Sequence, residues 1–200
     1  MIKTFIFDLG KVIVPFELDN QMKILEAVCD FTPSEIREKI LAAEEIRLFE
    51  TGKISAGDLF EVLKTLLVLR MSYEDFVHAW NSIFSLEPLL PESLFEQLSK
   101  KYRLLVLSDT NELHFEFIRK NFPLLRFFDD FVLSYEVGFF KPSPEIYRAA
   151  VEKANCAANE CFFTDDKESN ITGAKNFGIN AIQFVSAAQF QKEIKTRNLL

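Results

Sequence analysis

From residue 92 onward the chain alternates short apolar, β-rich runs with helical patterns, and this alternation restricts the fold more than any other feature. Glu92 to Lys101 reads as helix, Leu104 to Leu107 as strand, Asn111 to Asn121 as helix and Phe131 to Ser134 as strand. Ser143 to Asn155 is helical with Pro144 at its first turn, Cys161 to Thr164 is a strand, Ser169 to Phe177 is a helix stopped by Gly178, and Ala181 to Val185 is a last strand. One more strand, Lys3 to Phe7, opens the chain and ends at Asp8, just before the turn residue Gly10. Repeated strand–helix units need crossover connections, so the expected fold class is α/β, a doubly wound parallel sheet with helices on both faces.

The block from Pro15 to Phe84 breaks this rhythm. It contains no convincing strand and carries helix-start signals at Asp19-Asn20, Thr32-Pro33-Ser34-Glu35, Ser55-Ala56-Gly57-Asp58 and Ser72-Tyr73-Glu74-Asp75. In each of the last three, Ser or Thr stands three residues before an acid, the capping-box arrangement or its Asp variant. Gly52 fits a helix stop. The expected organisation is therefore a core of residues 1–14 and 86–200, with an inserted all-helical unit of residues 15–85 that leaves a cleft between two lobes.

Charge narrows the partners. The net charge is −7 and no basic block exceeds a Lys-Lys pair, so the footprint that nucleic acid or an anionic membrane surface requires is missing. No apolar run reaches spanning length, and the apolar opening is interrupted by Asp8 and Lys11. Cys29, Cys156 and Cys161 show no metal-ligand spacing and read as reduced thiols, which suits a cytoplasmic protein. Nothing in the pattern addresses oligomeric state.

In an open parallel sheet, ligands bind beyond the carboxyl ends of the strands. Four polar clusters are expected at that rim: Asp8-Leu9-Gly10, Ser108-Asp109-Thr110-Asn111, Gly138-Phe139-Phe140-Lys141-Pro142 and Thr164-Asp165-Asp166. Any one of them is ordinary turn chemistry. Together they are not, because Asp8, Asp165 and Asp166 on one rim repel one another unless a hard cation sits among them. Mg²⁺ is such an ion, taking carboxylates, carbonyls, waters and substrate phosphate. Lys141 adds a point charge suited to phosphate, and Ser108 with the amide of Asp109 stands where free amides favour an anion.

These segments, FIFDLGKVI, LLVLSDTN, GFFKPSPEIY and FFTDDKESNITGAKNFGI, occur in this order and resemble the haloacid dehalogenase superfamily of phosphatases across essentially the whole chain. The resemblance implies a Rossmann-like core with a helical cap. More narrowly, the FDLG opening, the LSDTN segment and GFFKPSPEIY look like the bacterial subgroup that includes the α-D-glucose-1-phosphate phosphatase. It further implies a Mg²⁺-dependent phosphatase for a small phosphorylated metabolite, with Asp8 as the nucleophile that forms an aspartyl-phosphate. Asp8, the carbonyl of Gly10 and Asp166 are then metal ligands, with Asp165 beside them as an inner or outer ligand. Ser108 and Asp109 hold the phosphoryl group and Lys141 neutralises it.

One position departs from the pattern. Most phosphatases of the superfamily carry a second Asp two residues after the nucleophile, as general acid and base, where this chain has Gly10. A substitute is sought in the helical block, where Glu44 and Arg47 share one face as candidate substrate-binding residues within the Glu44, Glu45, Arg47, Glu50 group. A plain solvated charged face is the more ordinary explanation of that group. Phe76, Trp80 and Phe84 recur at core spacing, while His78 and His114 read as surface or packing residues. Two other functions use the same rim: a metal-independent 2-haloacid dehalogenase, and a non-catalytic binder of phosphorylated ligands that lost proton transfer at Gly10.

Overall fold

The structure, a computed structural model, describes residues 1–200. Five parallel strands, β1 (Thr4–Phe7), β2 (Arg103–Ser108), β3 (Asp130–Leu133), β4 (Cys161–Asp165) and β5 (Asn180–Gln183), form one sheet in the order β3-β2-β1-β4-β5. The central strand β1 is covered on both faces, which is why its four residues are all buried. Register places Phe7 beside Val106 on one side and Thr164 on the other, so the residues that follow these strands emerge at one edge.

Helices α1 (Asp19–Glu26), α2 (Pro33–Ala42), α3 (Glu44–Glu50), α4 (Ala56–Leu67) and α5 (Tyr73–Asn81) follow β1. Those packed on the sheet are α6 (Glu92–Ser99), α7 (Glu112–Asn121), the short α8 (Ser134–Val137), α9 (Pro144–Ala154), α10 (Glu168–Phe177) and α11 (Ala187–Thr196). One face of the sheet is an aromatic layer in which Phe7 meets Phe95, Phe128 and Phe190 edge-on at centroid distances of 5.4 to 5.9 Å. The other face packs Ile6, Leu105, Leu107 and Phe163 against α9 and α10.

The helical block has five helices where four start signals are legible. The chain turns at Ala43, whose backbone is extended (ψ 118°) and whose side chain caps nothing, so the α2–α3 break carries no sequence signal. At the starts of α2, α4 and α5 the caps form as read, Thr32 accepting from the amide of Glu35, Ser55 from Asp58 and Ser72 from Asp75, whereas α1 begins at Asp19 after Leu18 with no side-chain cap. This block buries its own core of Leu25, Ile36, Phe49, Leu59, Phe76 and Trp80. The chain enters and leaves it through two antiparallel segments, where Glu17 N–H donates to Ile83 O at 2.9 Å and Ser85 N–H to Pro15 O at 3.1 Å.

Three contacts seat the block on the sheet. The Ser134 hydroxyl donates to Glu50 O at 2.8 Å, the Ala56 amide donates to Glu112 Oε1 at 2.9 Å, and His114 Nε2 lies 3.1 Å from Trp80 O. Nδ1 of His114 faces the Asn111 amide nitrogen at 3.0 Å, so the neutral ring donates from Nε2 and accepts at Nδ1. Burial pushes the imidazole down to about 4. Beside Ser134, Gly52 has φ +69°, and a Cβ there would lie 2.0 Å from Tyr135 O.

Two stability tests follow from these joints. Gly138 has φ +79° and open space around it, so Gly138→Ala pays only the left-handed penalty of about 1–2 kcal/mol. Gly52→Ala is expected to lose more in urea unfolding, because its methyl also forces the α3 turn off the sheet. For His114, the unfolded ring protonates near 6.5 while the folded one resists until about 4. Its contribution to stability is thus lost as pH falls from 6.5 toward 4, and His114→Gln is expected to flatten that part of the stability–pH curve.

Candidate active site

All four polar clusters meet at the carboxyl edge of the sheet. Asp8 follows β1, Ser108 ends β2 and Asp109 follows it, Lys141 arrives on the loop between α8 and α9, and Asp165 ends β4. The Lys141 side chain is 1% exposed, and its ammonium donates to Asp8 Oδ1 at 2.7 Å, Asp165 Oδ2 at 2.6 Å and Leu107 O at 3.1 Å. All three ammonium donors are thereby matched. Burial alone lowers a lysine, yet Asp8, Asp165 and Asp109 outweigh it and hold this one well above its usual range. Burial raises Asp8, Asp109 and Asp166, with Lys141 opposing in each case.

The two adjacent acids differ in what surrounds them. Asp165 is fully buried and accepts from Lys141, from the Lys167 amide at 2.8 Å and from the Asn170 amide group at 3.0 Å on both oxygens. Asp166 is partly exposed, and only its backbone oxygen is engaged, by Gln183 at 2.8 Å. One ligand oxygen from each of Asp8, Asp165 and Asp166 can lie within 4.8 Å of the others. Lys141 makes the close ion pairs to Asp8 and Asp165, while Asp166 has no ion pair, and a divalent, oxygen-binding cation would balance the clustered carboxylates. The donor set fits Mg²⁺.

Above this cluster is a cavity of about 570 Å³ between the helical block and the sheet. Gly10, Ser108, Asp109 and Lys141 form its floor, and Arg47 and Glu50 from α3 face it from above. Asp109 is turned into the loop, where its Oδ1 accepts from the Lys141 amide at 2.9 Å. Glu44, expected as a partner of Arg47, lies exposed at the start of α3 and does not line the cavity. The reason is the α2–α3 break: α3 starts at Glu44, and it is its later turn, with Arg47 and Glu50, that reaches the opening. Trp80, Phe84 and His114, read as packing residues, also line the wall, as does Phe140.

Position 10 has a steric explanation. A Cβ on Gly10 would lie 2.9 Å from Cε1 of Phe16, so an aromatic ring stands where the side chain of an acid would begin. Lys11, at φ +58°, places its ammonium 5.1 Å from that same ring. An Asp at position 10 therefore requires Phe16 to move.

The buried cluster makes a stability test possible. Lys141→Met leaves Asp8 and Asp165 buried together without their cation, and is expected to cost about 3–5 kcal/mol in urea unfolding. Adding Asp8→Asn to that variant is expected to recover part of the loss. A Lys141→Met protein as stable as the parent would contradict the ion-pair geometry.

Comparison with known proteins identifies the family. D-ribitol-5-phosphate phosphatase from Bacteroides thetaiotaomicron is 29% identical over 203 residues, spanning 97% of each chain. Glyceraldehyde 3-phosphate phosphatase from Methanothermobacter thermautotrophicus is 35% identical over 98 residues, 48% of this chain and 42% of its own. Among solved structures, a HAD family enzyme from B. thetaiotaomicron in complex with magnesium and inorganic phosphate superposes with a TM-score of 0.81, at 28% identity over 93% of this chain and 96% of the other. L-2-haloacid dehalogenase from Xanthobacter autotrophicus shares the fold, with a TM-score of 0.64 at 20% identity over all of this chain and 85% of its own. A family model described as haloacid dehalogenase-like hydrolase matches residues 2–178, and the chain belongs to that family of hydrolases.

Proposed function

We propose that this hydrolase is a Mg²⁺-dependent phosphatase of small phosphomonoesters, sugar or polyol phosphates first, working through an aspartyl-phosphate on Asp8. The observation that carries the reading is the buried Lys141 held between Asp8 and Asp165, under a cavity that opens directly onto it. Asp8 has one oxygen fixed by Lys141, which leaves the other free to approach phosphorus or a metal.

Each group then has a task. Asp8 attacks phosphorus and the ester oxygen departs; water later cleaves the acyl phosphate. Ser108 and the Asp109 amide hold the phosphoryl oxygens, and Lys141 offsets their charge as it is transferred. Asp8, the Gly10 carbonyl and Asp166 would hold Mg²⁺, whose chemistry is to neutralise phosphoryl charge and align the group. Asp165, with both oxygens already occupied by donors, holds Lys141 in place rather than the ion. The excess negative charge of the site also disfavours a metal-free reaction on a carboxylate, which is what a 2-haloacid dehalogenase performs.

The similarity to D-ribitol-5-phosphate phosphatase makes polyol and sugar phosphates the first substrates to try, with α-D-glucose 1-phosphate among them. Phosphate release is expected with Mg²⁺ and to vanish with EDTA. Asp8→Asn is expected to lose activity by roughly 10³-fold or more while staying folded, because it removes the nucleophile and one buried charge together. An Asp8→Asn protein with undiminished turnover would remove the mechanism. Metal-dependent phosphate binding without any turnover would favour the ligand-binding alternative.

A further inference from the structure

With Phe16 filling the space beside Gly10, the site needs another source for the proton that the departing alcohol must take up. Most titratable groups around the cavity are already committed. His114 donates from Nε2 and accepts at Nδ1 within the wall. The Asp109 carboxylate holds the Lys141 amide, and Asp165 holds Lys141, Lys167 and Asn170. Asp8 and Asp166 belong to the nucleophile and the metal site.

Glu50 is different. Its backbone carbonyl lies 2.8 Å from the Ser134 hydroxyl, whose single proton is shared between Glu50 O and Thr110 O, also at 2.8 Å, while the hydroxyl oxygen accepts from the Thr110 amide at 2.9 Å. Thr110 lies two residues after Ser108, so the last turn of α3 is tied to the loop expected to hold the phosphoryl group. Gly52, in close contact with Tyr135 O, allows that approach. The Glu50 carboxyl itself lines the cavity and takes no hydrogen bond from a neighbouring side chain.

Building on the phosphatase reading, we propose that Glu50 is the proton carrier of the reaction, a catalytic acid supplied by the helical block in place of the one missing at Gly10. As the Asp8 oxygen bonds to phosphorus and the ester P–O bond breaks, the Glu50 carboxyl gives its proton to the departing alkoxide, which leaves as alcohol. The carboxylate so formed then takes a proton from the water that attacks phosphorus. This restores the carboxyl and releases phosphate and free Asp8. Burial, reinforced by the facing Asp109 and opposed by Lys167, pushes Glu50 up to about 7, where both forms are populated near neutral pH. Arg37 on α2 and Arg47 on α3 are the other charged groups lining this wall.

Leaving-group dependence separates this role from a structural one. D-ribitol 5-phosphate releases an alkoxide that needs a proton, whereas p-nitrophenyl phosphate releases a stable phenolate that does not. Single-turnover release of the alcohol or phenol from Mg²⁺-loaded enzyme reads the first half-reaction alone. In Glu50→Gln, nearly the same size as the original, release from the alkyl ester is expected to fall by about 10²–10⁴-fold, and from the nitrophenyl ester by less than about tenfold. The fall in alkyl-ester kcat/KM above about pH 7 is expected to disappear with it. Equal losses on both esters, no loss, or a change confined to KM would overturn the proposal while leaving the phosphatase reading intact. A wild-type enzyme inactive on both esters would remove both.

Discussion

Everything at this site depends on one ammonium group buried between two carboxylates. Lys141 is shielded from solvent, and both of its acidic partners are held on the ends of parallel strands. Burying such a trio is costly unless every donor and acceptor is matched. Here the match is complete for Lys141 and for Asp165, while Asp8 keeps an oxygen free. The sheet therefore has to keep β1 and β4 adjacent and in register, and the loop carrying Lys141 has to cross them from the side. A fold that failed in any of these would leave a buried charge unpaired.

The helical block meets a different constraint. It closes over the cavity while its hydrogen bonds to the sheet unit lie at the start of α7 and at the start of α8. The α8 anchor, Ser134, also bonds Thr110, two residues after Ser108, so seating of the block and order in the loop after β2 are physically coupled. The same arrangement brings Glu50 over the floor and lets Phe16 occupy the space beside Gly10. The loss of an acid on the floor and the presence of one in the roof are thus two sides of a single packing arrangement.

Much of this was legible in the sequence, for reasons that can be stated residue by residue. Strands buried on both faces read as continuous apolar runs, so Phe5-Ile6-Phe7 and Leu104 to Leu107 announced the parallel sheet, and their polar ends marked the rim. The boxes at Thr32, Ser55 and Ser72 announced helices because their side chains do the capping. What stayed hidden was set by tertiary contact. The break at Ala43 has no capping chemistry, and the choice of Glu50 over Glu44 follows only from which turn of α3 faces the cavity; α11, by contrast, has a legible start in Ser186 and Gln189. Likewise, the difference between Asp165 and Asp166 lies in Asn170 and the Lys167 amide, which spacing cannot reveal.

Attack of the Asp8 carboxylate on phosphorus leaves a phosphoryl group on the protein, which covalent capture detects. Enzyme mixed with a turned-over phosphomonoester carrying a labelled phosphoryl group, in the presence of Mg²⁺, would be quenched in acid within a single turnover and digested. Label is expected on the peptide that contains Asp8, and none when Asp8 is replaced by Asn. Rapid turnover with no phosphoryl label on the protein at any quench time, or label on another residue, would contradict it.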